Sequence, residues 1–349
     1  MEKMEEFRVL ELFSGIGGMH YAFKYSNLPG EIVAAIDINT VANAVYAYNH
    51  EKTPLLNNNI QRLNLKTLEK LNINTILMSP PCQPHTRQHL SKQRDIEDNR
   101  SDALRHLCQL IPEYKNLQYV LLENVKDFQS SQSRNCFIDA LKSSGFQYSE
   151  FIISPTQFGI PNTRHRYYCI ARKYKDFPFD CSHVLTSMPN IKTSSKNSKT
   201  IEEFLDVELT NETSYNSTLP EKILRKYVWL LDIVTKDSNN SACFTKAYTH
   251  YSEGTGSVFT PCSLSETQQI FEKLKSLEKD DSEIVERLRL EMLQSLKLRY
   301  FSPSEVSRLM CFPASFNFPK ETTTRQKYRL LGNSINVLVV AELLKLLCS

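Results

Sequence analysis

The strongest constraint on the fold is a repeated pattern in which a short apolar segment is followed at once by residues able to carry chemistry. Three such segments are Ile32–Ile36, Thr75–Met78 and Tyr119–Leu122, and Phe7–Leu12, which also contains Arg8 and Glu11, reads as a first strand before them. Short, continuous apolar runs are typical of parallel strands buried on both faces. The carboxyl ends of parallel strands lie at one edge of an open α/β sheet, where ligands bind. The sequence therefore predicts an α/β fold with a mostly parallel sheet and a functional site at that edge.

A cysteine follows the segment Thr75–Met78. Pro80 and Pro81 end the strand and fix the backbone dihedral φ, so that Cys82 is held in one place after the strand end. A thiol in that position is a candidate nucleophile, although free cysteines are also common as small buried residues. This segment alone leaves both interpretations open, and the choice depends on which groups surround the thiol.

A glycine-rich turn follows the first strand, Phe7–Leu12. The residues Phe13-Ser14-Gly15-Ile16-Gly17-Gly18 lie between a predicted strand and a predicted helix, which either brings a nucleotide-like ligand against backbone amides or forms a simple tight turn. Asp37 directly follows Ile32–Ile36, about 20 residues further on, where an acidic side chain can reach ribose hydroxyls. His20 takes the place of the third glycine of a dinucleotide-binding motif. The pattern therefore favours an adenosine-type cofactor without a diphosphate, with S-adenosylmethionine as the leading candidate.

Three charged side chains are candidate partners of Cys82. Glu123 directly follows four apolar residues, and a carboxylate there is costly to bury unless it has a role; the alternative is a surface contact at the strand end. Arg164 and Arg166 precede another strand-like run, and residues two apart in an extended segment face the same way. The two arginines can point at one anionic or carbonyl target, or they can form a pair of surface charges.

The overall charge limits how a polyanionic partner can bind. A formal net charge of +3 over 349 residues permits such a partner only through a local basic patch. Candidate basic residues occur in a long polar loop after Cys82 and on a predicted helix near residues 220–231: Arg87, Lys92, Arg94, Lys222, Arg225 and Lys226.

Cysteine spacing and hydropathy argue against several other classes. The nine cysteines lack Cys-x-x-Cys spacing and zinc-ligand clusters, so we expect neither a metal site nor a disulfide framework. No run approaches about 18 consecutive apolar residues, and the N-terminus has no apolar signal segment, so we expect no membrane span. We therefore expect an intracellular protein of the cytoplasm and the nucleus.

The chain divides into a larger and a smaller domain. We expect the larger, cofactor-binding domain to consist of residues 1–178 and 293–349, and the smaller one of residues 179–292. Residues 186–218 are rich in Ser, Thr, Asn and Lys, which predicts a flexible loop. Ile60 either ends a third strand near an adenine ring or belongs to a plain connection. Asn333 and Ser334 precede an apolar helix and either cap it or contact a ligand.

Six motifs stand in a fixed order along nearly the whole chain. They are Phe13–Gly18, Asp37, Pro81-Cys82-Gln83, Glu123-Asn124-Val125, Arg164-x-Arg166 and Gly332-Asn333-Ser334. In this order they resemble the cytosine-5 methyltransferases, and Cys243-Phe244-Thr245 matches a signature of the tRNA-aspartate cytosine-5 methyltransferase subfamily. One departure is His85, where that subfamily usually carries phenylalanine; it puts the rate or the pH response in question more than the reaction type.

The resemblance implies a fold, a reaction and a partner. The fold would be a Rossmann-like S-adenosylmethionine-dependent methyltransferase domain with a smaller target-recognition domain. Cys82 would attack ring carbon 6 of a cytosine, Glu123 would hold ring nitrogen 3, and Arg164 and Arg166 would orient the base while carbon 5 is methylated. The product of the cofactor would be S-adenosylhomocysteine. The substrate would be a tRNA, with tRNA-Asp as the expected species and DNA as a weak ligand, and the protein would act as a monomer.

The resemblance also assigns binding residues. The implied cofactor contacts are Phe13, Gly15, Ile16, Gly17, Gly18, Asp37, Ile38, Ile60, Ser79, Asn333 and Ser334. Cys243, Phe244 and Thr245 join the six basic residues as implied nucleic-acid contacts.

Other functions stay open at this point. The same chemistry could act on DNA, since the catalytic motifs do not separate the two substrates. A catalytically silent nucleic-acid-binding protein would have no chemical need of Cys82, Glu123 and both arginines together. A dinucleotide-dependent oxidoreductase is disfavoured by His20.

Overall fold

A single mixed sheet forms the centre of the molecule. The computed structural model describes residues 6–81, 102–189, 198–206, 218–277 and 282–349. The strands of this sheet are β1 Phe7–Leu12, β2 Gly30–Asp37, β3 Leu55–Asn57, β4 Thr75–Met78, β5 Tyr119–Val125, β6 Gln147–Ile153 and β7 Arg166–Arg172. Their order is β3-β2-β1-β4-β5-β7-β6. Neighbours from β3 to β5 pair in parallel, whereas β7 is antiparallel to both β5 and β6. The predicted α/β fold with a mixed, mostly parallel sheet is confirmed.

Helices cover both faces of the large sheet. The helices of the described chain are α1 Gly18–Ser26, α2 Thr40–Asn49, α3 Leu65–Leu71, α4 Asp102–Glu113, α5 Gln132–Ser143, α6 Glu221–Tyr227, α7 Leu264–Ser276, α8 Glu283–Ser295, α9 Pro303–Leu309, α10 Thr324–Gly332 and α11 Val337–Cys348. One hydrophobic cluster contains side chains of α1 and α11, and a second contains side chains of α3, α4 and α5. The sheet lies between these two clusters.

The alternation of side chains along β1 shows how the two clusters are separated. Val9 belongs to the cluster on the α1 side, whereas Leu10 and Leu12 belong to the opposite cluster. Because successive side chains of a strand point to opposite faces, Glu11 shares the face of Val9 and is fully buried there. An ionisable residue therefore lies inside the α1 side of the core.

The C-terminal helices belong to this core. The stretch Thr324–Cys348 is long and apolar enough to cross a membrane by length and composition, with a mean hydropathy of 1.7, but 67% of its apolar window is buried inside the molecule. The stretch is also interrupted by the non-helical residues 333–336 between α10 and α11. Asn336 caps α11 by accepting a hydrogen bond from the Val339 amide, which leaves Asn333 and Ser334 available for another role.

A second sheet forms the smaller domain. Its strands are β8 Asp232–Val234, β9 Ser257–Phe259 and β10 Arg299–Tyr300, in the order β10-β9-β8. Helices α6, α7 and α8 contribute Leu224, Leu274 and Leu293 to a separate hydrophobic cluster. Because Leu293 and β10 belong to this unit, it extends to Tyr300 rather than ending at the predicted residue 292.

Part of the segment predicted as a flexible loop is packed. Residues Ile201–Phe204 form a 3-10 turn that begins with a capping box between Thr200 and Glu203. Ile201 and Phe204 are buried in the cluster on the α1 side of the large sheet. The loop prediction therefore fails for residues 198–206, because two apolar side chains anchor them. Residues 190–197 and 207–217 of the same segment lie outside the described residues.

Candidate active site

A cavity of about 640 Å³ opens at the carboxyl edge of the large sheet. It lies beside the ends of β1 and β4, where the strand order reverses, and open α/β sheets bind their ligands at such a point. Among the predicted cofactor contacts, those that line it are Phe13, Gly15, Ile16, Gly18, Asp37, Ile38, Ile60, Ser79, Asn333 and Ser334. The predicted catalytic residues Glu123, Arg164 and Arg166 line the same cavity.

The glycines of the turn serve different purposes. A Cβ atom on Gly18 would lie 2.6 Å from Ile335 Cγ1 and 3.1 Å from Ser334 Oγ, so only glycine lets the turn approach this loop. Gly17 has a φ of 82° and does not line the cavity. A Cβ atom there would lie 2.4 Å from His50 Nε2. Gly17 is therefore required for packing against His50, and its predicted cofactor contact stays a prediction.

Asp37 is held in place by the turn that it was predicted to accompany. Its Oδ2 accepts a hydrogen bond from the Gly15 amide at 2.9 Å, and its Oδ1 accepts one from the Asn39 amide at 2.8 Å. Each carboxylate oxygen retains acceptor capacity beyond one bond. Asp37 can therefore brace the turn and still accept a hydrogen bond from a ligand hydroxyl in the cavity.

Apolar side chains form one part of the cavity wall. Phe13 adopts a left-handed φ of 54°, and its carbonyl oxygen accepts a hydrogen bond from Ser79 Oγ at 3.2 Å, which links the ends of β1 and β4. Ile38 is 66% exposed, whereas Ile60 is buried. Ile60 begins the 3-10 turn Ile60–Arg62 and does not end a strand, because β3 already stops at Asn57. These three apolar side chains suit a flat, partly apolar ring.

Glu123 and Arg166 are brought together by the register of β5 and β7. In this antiparallel pair Arg166 is opposite Val125 and Tyr168 is opposite Glu123, so Glu123 and Arg166 are diagonal neighbours on one face. Arg166 Nε lies 3.5 Å from Glu123 Oε1. Burial raises the pKa of Glu123 above its ordinary value, against the opposing effect of Arg166 and Arg164. The carboxyl group can therefore keep a proton at a higher pH than an exposed glutamate.

Arg164 faces the same region but its guanidinium group is occupied by backbone carbonyls. Nη1 donates to the Phe244 carbonyl oxygen at 3.0 Å, and Nη2 donates to the Gly332 carbonyl oxygen at 3.1 Å and to the Ser334 carbonyl oxygen. The residue is only 3% exposed, and its Nε has no hydrogen-bond partner among the described residues. Arg164 thus has a holding role, since it joins two distant segments at the cavity wall, and its predicted contact with the base stays a prediction.

The Cys-Phe-Thr motif begins beside Arg164 and Arg166. Cys243 Sγ is 3.4 Å from Arg164 Nη1 and 3.6 Å from Arg166 Nη2. Burial raises the pKa of the Cys243 thiol, but the two arginines outweigh this and lower it below its ordinary value. Phe244 is 2% exposed and packs edge-on against Tyr248, so it cannot contact a nucleic acid as predicted.

Thr245 belongs to the packing of the same wall. A Cβ atom on Gly332 would lie 2.2 Å from the Thr245 carbonyl carbon and 2.2 Å from the Lys246 amide nitrogen. Glycine at position 332 therefore allows the backbone after Cys243 to contact the turn that contains Asn333 and Ser334. Thr245 is partly exposed, and Lys246 is exposed and lines the cavity, a contact that the sequence did not single out.

The described residues of this segment end at Pro81, directly before the predicted nucleophile. Pro80 and Pro81 line the cavity, and Cys82, which is bonded to Pro81, lies outside the described residues. Asn124 Nδ2 donates to the Pro80 carbonyl oxygen at 3.4 Å, which links the end of β5 to the segment after β4. Asn124 thereby holds the last described residues before Cys82.

The predicted basic contacts fall into two groups. Arg87, Lys92 and Arg94 lie outside the described residues. Lys222 and Lys226 are exposed on α6 of the smaller domain. Arg225 is also on α6, but it forms ion pairs with Glu221 at 2.7 Å and Glu286 at 3.1 Å, which reduces the charge that it offers to a phosphate.

Sequence reasoning missed a buried polar chain behind the glycine turn. Tyr46 Oη donates to Glu11 Oε2 at 2.9 Å and lies 2.9 Å from His20 Nδ1. The His20 and His50 rings stack with centroids 3.7 Å apart. Burial raises the pKa of Glu11 to about 8 and lowers that of His50 to about 4. The signal was present, because Glu11 stands inside an apolar strand just as Glu123 does.

The described residues contain no group of three His, Cys, Asp or Glu side chains that could hold a metal ion.

Comparisons with known proteins agree with this geometry. A family described as C-5 cytosine-specific DNA methylase matches residues 7–348 of the chain. A tRNA (cytosine(38)-C(5))-methyltransferase of Spodoptera frugiperda is 46% identical over 343 residues, covering 97% of this chain and 98% of that protein. A DNA (cytosine-5)-methyltransferase of Dictyostelium discoideum is 35% identical over 382 residues, covering 99% of this chain and 95% of that protein. A crystal structure of a mutant Spodoptera frugiperda DNMT2 matches with a TM-score of 0.87 and 43% identity, covering 99% of this chain and 100% of that one.

Proposed function

The chain belongs to the C-5 cytosine methyltransferase family, and on that premise we propose that it methylates carbon 5 of a cytosine in the anticodon loop of a tRNA through a covalent bond to Cys82. The observation that carries the proposal is the buried Glu123–Arg166 pair, which lines one cavity together with the glycine turn and with Pro81, the neighbour of Cys82. A carboxyl group and a cation placed side by side can recognise the polar edge of a cytosine ring.

The chemistry follows from the electronic structure of cytosine. Ring carbon 5 is a poor nucleophile, so the ring needs temporary covalent activation. The Cys82 thiolate forms a bond to carbon 6, and the electron pair of the carbon 5–carbon 6 double bond becomes available at carbon 5 for the methyl group. Loss of the proton from carbon 5 and cleavage of the bond to Cys82 then restore the ring. In this proposal Cys82 is the only residue that bonds covalently to the substrate.

Glu123 and Arg166 stabilise the activated ring. Glu123, with its raised pKa, can present a proton to ring nitrogen 3, where negative charge develops when the thiolate attacks. Arg166, beside Glu123 and Cys243, remains a cation that can face the carbonyl oxygen at ring position 2. Arg164 acts through its backbone contacts and is a positioning residue.

The cavity fits S-adenosylmethionine, the methyl donor that this family uses. The cofactor supplies an electrophilic methyl group. Asp37 would accept from its ribose hydroxyls, and Phe13, Ile38 and Ile60 would contact its adenine ring. Gly18 leaves the space that a side chain would fill beside Ser334. The residues around the cavity thus provide an acceptor, an apolar wall and close backbone approach without a diphosphate-binding glycine at position 20.

RNA is favoured over DNA as the substrate. The Spodoptera frugiperda relative, at 46% identity, is named for tRNA cytosine 38, whereas the Dictyostelium discoideum relative, at 35%, is named for DNA. The base must leave its stack to reach Cys82, and this costs less for an unpaired loop base than for a paired one. We therefore propose tRNA, with tRNA-Asp as the species, and keep duplex DNA as the second candidate.

Methyl transfer from labelled S-adenosylmethionine tests this assignment. We expect kcat/KM for a tRNA-Asp transcript to exceed that for duplex DNA by at least about tenfold, and we expect Cys82→Ala to lower it by about 10³-fold or more. Cys262→Ala, which removes a partly exposed thiol in the smaller domain, serves as the matched control and should retain activity. A preference for duplex DNA would overturn the RNA assignment, and an active Cys82→Ala protein would overturn the mechanism.

A further inference from the structure

The smaller domain exposes the only tryptophan of the chain. Trp229 is 50% exposed and lies in the 3-10 turn Val228–Leu230 that follows α6. Its ring contacts Phe271 edge-on, with centroids 5.1 Å apart. The neighbouring Leu230 is 48% exposed. A large aromatic ring left half in solvent is a common feature of binding surfaces, because its face remains available for stacking.

A small pocket of about 140 Å³ lies beside this ring. Leu274 and Leu293 supply apolar walls, while Arg225, Glu286 and Arg289 supply a charged side. Glu286 accepts from Arg225 Nη1 at 3.1 Å and from Arg289 Nη1 at 2.7 Å, so one carboxylate is held between two guanidinium groups. An apolar slot with donors and an acceptor along one side suits a single planar ring with a hydrogen-bonding edge.

Positive charge continues from the pocket along α6. Lys222, Lys226 and Trp229 are spaced by four and three residues, so they follow one side of the helix and its terminal turn. Both lysines are exposed, and neither forms an ion pair with a carboxylate of the described residues. Two free cations in line with an aromatic ring match a nucleotide strand, in which phosphates alternate with bases.

The segment that contains Trp229 is linked to the wall of the cavity at the large sheet through a hydrogen bond of Asp232. Trp229 is three residues from Asp232, the first residue of β8, and Asp232 Oδ2 accepts from the Ala242 amide at 3.2 Å. Ala242 is followed by Cys243, whose Sγ lies 3.6 Å from Arg166 Nη2. Asp232 and Ala242 therefore join the Trp229 segment to the residues that contact Arg166.

We propose that the pocket beside Trp229 binds an unpaired base of the RNA substrate, stacked on the indole ring, while Lys222 and Lys226 contact the adjoining phosphates. This inference rests on the proposed function in taking RNA as the substrate. The pocket would be a second, non-catalytic base site that positions the RNA strand. It would raise the affinity for RNA loops relative to RNA duplexes, because only a loop offers an unpaired base.

Because the chain has one tryptophan, its fluorescence reports on this site directly. We expect titration with a tRNA-Asp anticodon stem-loop to quench the emission saturably, and a fully paired RNA of the same stem sequence to leave it nearly unchanged. Trp229→Ala should raise KM for the stem-loop by roughly 5- to 150-fold, the range that stacking of one base gives on alanine substitution. Its kcat should stay within about twofold, since Trp229 does not touch the reacting atoms.

The controls separate this site from the proposed function. Trp229→Phe keeps an aromatic ring and should recover most of the lost affinity, and Tyr25→Ala, which removes a 46% exposed aromatic ring on α1, should leave KM unchanged. If wild-type protein methylates the stem-loop but neither the fluorescence nor the KM of Trp229→Ala responds, the site is not used. If the emission changes with protein concentration in the absence of RNA, the surface joins two copies of the chain, and the proposal is wrong. A wild-type protein that quenches with the stem-loop but methylates no RNA would support this site and overturn the proposed function instead.

Discussion

Two buried glutamates, Glu11 on β1 and Glu123 on β5, show how the surroundings of a single residue decide its role. Glu123 faces the cavity beside Arg166, so its proton can be used on a ligand. Glu11 does not line the cavity and accepts from Tyr46 Oη in the core. Burial raises the pKa of both carboxyl groups, but only Glu123 lies where a substrate can benefit. Access to the cavity, which Glu123 lines and Glu11 does not, separates the proposed catalytic carboxyl group from the structural one.

Glu11 gives the free energy of unfolding a defined dependence on pH. Burial raises its pKa from 4.5 to about 8, so the folded protein binds this proton more tightly than the unfolded chain does. The stabilisation is fully present below pH 4.5 and is lost as the pH rises toward about 8. Relative to Glu11→Gln, we expect the wild-type free energy of unfolding, measured by urea denaturation, to fall by a few kcal/mol between about pH 5 and pH 8.5.

The control for Glu11 is an exposed carboxyl group on the neighbouring strand. Glu31→Gln on β2 should leave the pH dependence as in the wild type, because the Glu31 side chain is 67% exposed. His20 and His50 act in the opposite direction, since burial lowers the pKa of each below the ordinary 6.5 and their stabilisation is lost as the pH falls below that value. Parallel curves for the wild type and Glu11→Gln would show that Glu11 does not titrate in this range.

Three segments of the chain are tied together by Arg164, which precedes β7. Its guanidinium group joins the segment after Cys243 to the turn between α10 and α11, through the carbonyl oxygens of Phe244, Gly332 and Ser334. These acceptors stand at fixed points on two segments, and a planar guanidinium group with several donors can reach them together, whereas an ammonium group cannot. This side of the cavity therefore depends on a residue whose donors hold the backbone of two other segments.

Arg164→Lys should destabilise the fold and weaken cofactor binding, while Arg166→Lys should lower kcat. Loss of the bridging donors leaves buried carbonyl groups unpaired at about 1–3 kcal/mol each, so we expect Arg164→Lys to lower the free energy of unfolding by roughly 2–4 kcal/mol and to weaken S-adenosylmethionine binding. Arg166→Lys should bind the cofactor almost normally but lose kcat. Urea denaturation and calorimetric titration with the cofactor measure both effects. Normal stability and cofactor affinity in Arg164→Lys would contradict the holding role.

Across the whole molecule, features that depend on local sequence patterns could be predicted, whereas contacts between residues far apart in the chain could not. The strand ends at Asp37, Pro81 and Glu123 follow from apolar runs that can be seen in the sequence, and the structure places all three at one cavity. The partners of Arg164 could not be predicted in the same way, since Phe244 is 80 residues away and backbone carbonyls carry no sequence signal. Phe244 belongs to a recognisable Cys-Phe-Thr motif. The motif does not show that Phe244 is buried, because its burial comes from packing against Tyr248.

The end of the smaller domain likewise depends on contacts between distant residues. Composition changes after about residue 175, but the end of the smaller domain is set by the pairing of β10 with β9. A two-residue strand, Arg299–Tyr300, leaves almost no periodic pattern in the sequence. Likewise, the polar segment near residue 200 contains Ile201 and Phe204, whose anchoring becomes evident only from the cluster that receives them. Predictions that depend on long-range pairing therefore needed the structure.

The central claim, that Cys82 forms a covalent bond to a cytosine in RNA, is tested most directly by trapping that bond. A tRNA-Asp stem-loop with 5-fluorocytidine at the target position lacks the proton that must leave carbon 5, so the adduct cannot resolve after methyl transfer. Incubation with S-adenosylmethionine, digestion and peptide mass spectrometry then identify the modified residue. The account predicts one methylated nucleotide adduct on Cys82 and none on Cys243, the thiol that contacts both arginines. An adduct on Cys243, or trapping by duplex DNA but not by the RNA, would contradict it.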